Sequence, residues 1–380
     1  MIYLDSGATT LEKPPAVARA MARAVGEMSS PGRGNYPASR RAAQTAFACR
    51  EAAAELLGVP SPEQVVFTFN ATHGLNIAIR TLVRPGMRLA VSGYEHNAVT
   101  RALHSIPGID ILVVDAPLFR PDKMLEGFRT ALRRGVDAVV CNHVSNVFGC
   151  VQPVEELAAL CRKTHTPLIV DASQSAGILP VSLQDWGAAF VAMPGHKGLY
   201  GPQGTGLLLC GREAQPILFG GTGSASKMQT MPADLPDRLE AGTHNMPGIA
   251  GLLEGIRFVA RRGPEQIARH EKQLTRRAAE GLKRLPGVEV FVSEGMQNQT
   301  GVLSFRVKGT DSEWLGEELA RRQIAVRAGL HCAPLAHRTV GTLETGTVRL
   351  SPSVFNTEGQ IDTFLRELGG ILRENGKKSI

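Results

Sequence analysis

Aromatic residues are scarce in this chain, at 5%, and only two are tryptophan. No apolar run approaches the ~20 residues that a helical membrane span requires, so no membrane partner is expected. Lysines and arginines are scattered, without a basic stripe and without aromatics interleaved among them. A nucleic-acid surface needs clustered cations and stacking platforms, so nucleic acid is not an expected partner either. None of the six cysteines sits in a Cys-x-x-Cys pair, which removes the usual zinc and dithiol spacings and leaves no metal site to expect. The start of the chain, Met1-Ile2-Tyr3-Leu4-Asp5, has neither the basic nor the apolar segment of a secretory signal. The expectation is a cytoplasmic protein with reduced thiols. Internal repeats and low-complexity segments are missing as well.

What remains is the composition of an ordinary globular enzyme, 43% hydrophobic and 20% charged. A length of 380 residues exceeds one typical domain and implies two. The net charge of +7 is diffuse and suits anionic small molecules.

A short extended start is followed by a helix opened by Pro14 and Pro15, a glycine-rich loop at 31–37 and an alanine-rich helix at 38–57. Strand-like runs then occur at 65–69, 88–92, 110–114, 137–142, 167–171, 188–193 and 206–210. Helical periodicity fills the gaps at 72–82, from about 97, at 121–133 and at 154–164. Nearly continuous apolar strands alternating with helices indicate a mainly parallel sheet buried on both faces. Beyond residue 248 the pattern changes to helices at 249–261 and 264–284. Short β runs follow at 288–292, 302–307 and 324–326, then helices at 312–322 and 358–373. The expected division is a large domain over 15–248 and a small α/β domain from 1–14 with 249–380. The last residues, 375–380, are expected to fray.

Open α/β sheets bind ligands beyond the carboxyl ends of their strands. Five strand ends here carry polar or titratable residues: Asn70-Ala71-Thr72-His73-Gly74, Gly93-Tyr94-Glu95-His96-Asn97, His143-Val144-Ser145-Asn146, Asp171-Ala172-Ser173-Gln174, and Gly195-His196-Lys197. A glycine-flanked lysine at a strand end is what a Schiff-base enzyme requires, because glycine lets backbone approach closely. Each residue has a chemical task if the ligand is pyridoxal 5'-phosphate. Lys197 would hold the aldehyde, and Asp171 would pair with the pyridine nitrogen. His96 would lie over the ring and handle protons. Asn146 and Gln174 could bond the ring hydroxyl. The backbone at Ala71 and Thr72, the Thr72 side chain and His196 could contact the phosphate. A lone residue of this kind is more often a turn, a cap or a packed loop histidine; five coinciding strand ends outweigh that.

Near the C-terminus, Val326-Arg327-Ala328-Gly329-Leu330-His331-Cys332-Ala333-Pro334 places a thiol in a polar loop among cations, a setting that favours the nucleophilic thiolate. Arg349, on a strand-like Thr347-Val348-Arg349-Leu350, is the residue type that grips a carboxylate with two bonds.

These stretches, together with Tyr3-Leu4-Asp5-Ser6-Gly7-Ala8-Thr9-Thr10, Arg238-Leu239-Glu240-Ala241-Gly242-Thr243 and Phe355-Asn356-Thr357, run the length of the chain. The ordered set resembles class V aminotransferase-fold enzymes, specifically cysteine desulfurases of the Suf type and selenocysteine lyases. The resemblance implies a fold type I, pyridoxal-phosphate-dependent homodimer with a seven-stranded, mainly parallel sheet. It implies Lys197 as the cofactor lysine and Cys332 as a persulfide-forming cysteine. Arg349, with Asn146, would bind the substrate carboxylate, and Thr243 would reach the partner subunit's phosphate. L-cysteine is the implied substrate, with L-selenocysteine as the alternative, and a sulfur-accepting protein is an implied partner. Four positions depart from the pattern: Ser6, Tyr36, His73 and Pro194, the last standing where a phosphate-binding hydroxyl is usual.

Overall fold

The computed structural model describes residues 1–32 and 34–378. In chain order its elements are β1 (Ile2–Tyr3), α1 (Pro15–Glu27), α2 (Pro37–Leu56), β2 (Val65–Thr68), α3 (Ala71–Leu82), β3 (Arg88–Ser92), α4 (Asn97–His104), β4 (Asp110–Val114), α5 (Pro121–Arg133), β5 (Ala138–Asn142), α6 (Val154–Lys163), β6 (Leu168–Asp171), α7 (Leu183–Trp186), β7 (Phe190–Pro194), β8 (Gly206–Cys210), α8 (Met246–Arg262), α9 (Pro264–Leu282), β9 (Val288–Phe291), β10 (Leu303–Val307), α10 (Ser312–Arg321), β11 (Ile324–Ala325), β12 (Arg327–Gly329), α11 (Pro334–Val340), β13 (Thr347–Leu350) and α12 (Glu358–Lys378).

Seven strands form the large sheet in the order β2-β8-β7-β6-β5-β3-β4. Strands β3 to β7 pair in parallel, while β8 runs antiparallel to both β7 and β2. Along β5, β6 and β7 successive side chains fall into two separate hydrophobic clusters. Val139, Cys141, Val170, Val191 and Met193 lie on one face; Val140, Ile169, Phe190 and Ala192 lie on the other. That alternation follows from the two-residue period of a strand, and both faces are covered by helices. The sheet is therefore α/β, doubly covered and mainly parallel, as the apolar runs imply.

The second sheet is antiparallel, ordered β12-β13-β10-β9. Phe305, Leu319, Ile361, Phe364 and Leu368 fill its own core. The N-terminus joins this region: β1 pairs with β11, and Asp5 bridges to Ser351.

Three expectations change. The boundary after residue 248 falls inside the first turn of α8. Ile249, Leu252, Leu253 and Ile256 of that helix share the core of the large sheet, so the first core continues well past residue 248. The loop expected around 326–334 contains β12 and opens α11, where Pro334 pre-sets the first helical φ. The frayed tail is instead the end of α12, whose Glu374 is held by Arg322 at 2.7 Å; residues 379–380 lie outside the described residues.

One buried ion pair stitches the sheet edge to the loop before α8. Glu240 accepts from Arg50 Nη2 at 2.6 Å and from the Phe67 N–H at 2.6 Å, and meets His244 Nε2 at 3.2 Å. Its side chain is 2% exposed, and that of Arg50 9%. Removing one member of such a pair strands the other charge. Glu240→Ala should lower the unfolding free energy by about 3 kcal/mol in denaturant titration, and a change below 1 kcal/mol would show the pair to be dispensable.

Candidate active site

The carboxyl ends of the parallel strands open into a cavity of about 210 Å³. Its walls include Ala71, Thr72, His96, Asn146, Asp171, Gln174, His196, Lys197, Arg327 and Arg349. Strand ends and the small sheet thus bring together every expected site residue except Thr243 and Cys332. Thr243 lies in a separate cleft with His73, Glu240 and His244. Cys332 sits exposed beside the cavity, its Sγ receiving a hydrogen bond from Nη2 of the wall residue Arg327 at 3.3 Å.

Lys197 follows β7 and is half-buried on the cavity wall, and desolvation lowers its amine to about 8 despite the opposing charge of Asp171. The peptide before it is fixed by the N-terminal segment. The His196 carbonyl accepts from Thr10 N at 3.1 Å, Thr10 Oγ1 at 3.0 Å and Lys13 Nζ at 3.0 Å. Asp171 ends β6, where its Oδ1 accepts from the Ser173 N–H at 2.9 Å. His96 caps α4: its Nδ1 accepts from Ala98 N at 3.0 Å, so the neutral ring carries its proton on Nε2. Burial pushes this imidazole down to about 4. The same cause pushes His196, bound to Thr9 Oγ1 at 3.0 Å, to about 4. Both are neutral over the physiological range. Any handling of protons by His96 therefore starts from a neutral ring.

Arg349 is fully buried, on β13. Its Nη2 donates to Asp5 Oδ1 at 2.6 Å and its Nη1 to the Asn146 carbonyl at 2.8 Å. Two buried polar atoms on the cavity wall have no protein partner, Arg349 Nε and Asn146 Oδ1. A donor and an acceptor left open at one wall fit a ligand that carries both functions. The first N–H groups of α3, at Ala71 and Thr72, have no carbonyl one turn earlier to receive them. They line the same cavity and provide an anion cradle. Gln174 Nε2 donates to the Gly7 carbonyl at 2.8 Å, which leaves its amide oxygen for the cavity.

The four departures scatter. Pro194 ends β7 on the cavity wall, where it offers neither N–H nor hydroxyl. Ser6 lines a smaller neighbouring cavity of about 40 Å³ on the other side of Lys197, together with Glu271. His73 stacks on Phe69 at 4.6 Å, and Tyr36 is exposed. Some groups at the site had been given no task of their own in the sequence. Asp5 is one. Glu95 is another, a fully buried carboxyl raised to about 8 by desolvation, with Oε1 held by Ser92 Oγ at 2.6 Å and Asn142 N at 2.7 Å.

The chain belongs to the class V aminotransferase family, whose model matches residues 2–364. Enzymes of this family generally work with pyridoxal phosphate. Among individual proteins, a probable cysteine desulfurase of Methanothermobacter thermautotrophicus is 32% identical, over 97% of this chain and 95% of that protein. A probable cysteine desulfurase of Mycolicibacterium paratuberculosis is also 32% identical; the match covers 96% of this chain but only 54% of that longer protein. The apo structure of cysteine desulfurase from Thermococcus onnurineus superposes with a TM-score of 0.90 at 30% identity, covering 98% of this chain and 95% of that one.

The lowered amine gives a direct test. An amine attacks an aldehyde only when deprotonated, so a group with a pKa of about 8 gains reactivity up to that pH and then levels off. Condensation of the cofactor-free protein with pyridoxal should accelerate about tenfold per pH unit below 8 and flatten above it. A rate still climbing at pH 10, as for a surface lysine, would contradict the lowered amine of Lys197.

Proposed function

We propose that this protein is a pyridoxal-phosphate-dependent cysteine desulfurase. It would convert L-cysteine to L-alanine and leave the sulfur as a persulfide on Cys332. The observation that carries the proposal is the convergence of Lys197, Asp171 and Arg349 on one cavity with a solvent-facing thiol at its edge. Lys197 would hold the cofactor covalently. Asp171 would face its ring nitrogen, Asn146 Oδ1 and Gln174 its hydroxyl, and the Ala71–Thr72 backbone and His196 its phosphate. Bound there, pyridoxal phosphate supplies an electron sink next to the substrate's Cα.

The protein's own groups account for the remaining steps. The buried guanidinium of Arg349 would take the substrate carboxylate, with Asn146 beside it. Lys197, as a free amine, would accept the Cα proton. The Cys332 thiolate, held by Arg327, would attack the substrate sulfur. The S–S bond forms as the Cβ–S bond breaks, and the electron pair stays with carbon. That carbon then takes a proton, with His96 assisting, the Lys197 ammonium returns its proton to Cα, and alanine leaves. The persulfide sulfur would pass to an external thiol acceptor.

Thr243 supports a homodimer. In this chain it faces away from the cavity, in a cleft edged by the exposed Leu218. The family resemblance gives it a task only at a partner subunit's phosphate, which calls for a homodimer.

Cys332→Ser tests the sulfur step and its substrate together. With L-cysteine, alanine formation should fall at least about a hundredfold while the cofactor's visible absorption is retained. L-selenocysteine, whose selenium leaves more readily, should lose far less. Equal retention on both substrates would remove Cys332 from the reaction.

A further inference from the structure

Cys332 sits in an unusual backbone. Both His331 and Cys332 occupy the left-handed region, with φ of 53° and 56°, although neither is glycine. Two successive side-chain-bearing residues there are unfavourable unless their surroundings hold them. The holding contacts are explicit. Asn97 N donates to the Cys332 carbonyl at 2.8 Å, and Asn146 Nδ2 donates to the His331 carbonyl at 2.8 Å.

Behind the turn lies a buried file of polar side chains that the proposed chemistry does not use. His331 is 2% exposed, His337 0% and Thr342 1%. His331 Nε2 meets the Arg327 carbonyl at 3.2 Å. A carbonyl only accepts, so that nitrogen carries the proton and Nδ1 of the neutral ring is bare. His331 Nδ1 faces His337 Nε2 at 3.5 Å. The rings are nearly parallel, 13° apart, with centroids 5.7 Å apart. The centroid separation exceeds the nitrogen separation by about two ring radii, so the imidazoles meet edge to edge and the contact is directed. His337 must then donate from Nε2 and accept at Nδ1 from Thr342 Oγ1, 2.8 Å away. These contacts form one self-consistent file of donation: Thr342 to His337, His337 to His331, His331 to the carbonyl of Arg327. Arg327 is the residue whose guanidinium holds the Cys332 sulfur. Phe148 packs on His337 at 5.7 Å, and Thr339 of the same helix, α11, bonds the Gly93 carbonyl at 2.9 Å, near His96.

We propose that His337, oriented by Thr342, is a positioning residue that locks the strained His331–Cys332 turn and so holds the Cys332 thiol against Arg327. The functional consequence rests on the persulfide role given to Cys332 above; the thiol's placement does not. The other five cysteines are buried, so alkylation by iodoacetamide reports on Cys332 alone. Three variants are compared as folded, cofactor-loaded protein: Thr342→Val, which removes one hydroxyl, Thr342→Ser, which keeps it, and His337→Leu.

His337→Leu should slow Cys332 alkylation near neutral pH, and kcat for L-cysteine, by at least about tenfold, with KM and the cofactor's absorption unchanged. Thr342→Val should slow both at least about threefold, and Thr342→Ser should restore both. Alkylation within twofold of wild type in Thr342→Val overturns the proposal, even where kcat falls. Should His337→Leu not fold, the valine–serine pair decides alone. Cys332→Ser separates the two ideas: if that variant still turns over L-cysteine, the persulfide role fails, while the alkylation rates continue to judge the lock.

Discussion

A single buried guanidinium ties this molecule together. Arg349 reaches from the small sheet to Asp5 near the N-terminus and to the Asn146 carbonyl beyond β5 of the large sheet. Three parts of the chain meet on one side chain that is 1% exposed. A charge so placed is tolerable only while its partners stay put, because an unpaired buried cation is far costlier than a paired one. The same fixed partners leave its buried Nε without a hydrogen-bond partner in the protein. The group that would bind a substrate carboxylate is therefore also the group that registers the two sheets against each other. Closure of the domains and the shape of the site are one problem for this fold.

Around that junction the electrostatics favour neutral bases. Burial lowers His96 and His196 to about 4, so both rings are neutral near pH 7, and it lowers Lys197 to about 8, which leaves a reactive minority of that amine unprotonated there. The carboxylate of Asp171 is the countercharge to which a cationic ring nitrogen would turn. At the cavity's edge the arrangement differs, because a sulfur proposed to meet both a substrate and an acceptor needs a solvent-facing position. Cys332 has that exposure, yet its backbone is strained and its neighbours are packed. A reactive thiol on a rigid turn limits the geometries it samples, which is how positioning raises a rate.

Much of this was legible in the sequence, for identifiable reasons. The strands were visible because a sheet buried on both faces needs nearly continuous apolar runs. The site was visible because ligands gather where such strands end, which singled out Lys197 and Asp171. Arg349 was legible as a residue type but not as a buried one, since its partner Asp5 lies 344 positions away and no local pattern connects them. The boundary after residue 248 misled because α8 begins in a polar, irregular stretch while its apolar face belongs to the large sheet. Helix α11 was hidden by its brevity, and the roles of His337 and Thr342 emerge only when a tertiary turn brings their rings and hydroxyl into line. Thr243 lies in a cleft apart from the cavity, so within one chain it meets none of the other expected site residues.

The central claim is that sulfur from L-cysteine passes to Cys332, and one measurement reaches it directly. The cofactor-loaded protein is given one equivalent of L-cysteine without reductant, alanine is quantified, and the peptide containing Cys332 is examined by mass spectrometry. The account predicts stoichiometric alanine and a peptide heavier by one sulfur atom, a mass that a thiol reductant removes as sulfide. Alanine formed with the Cys332 peptide unmodified, or no alanine from a protein that holds its cofactor, would contradict it.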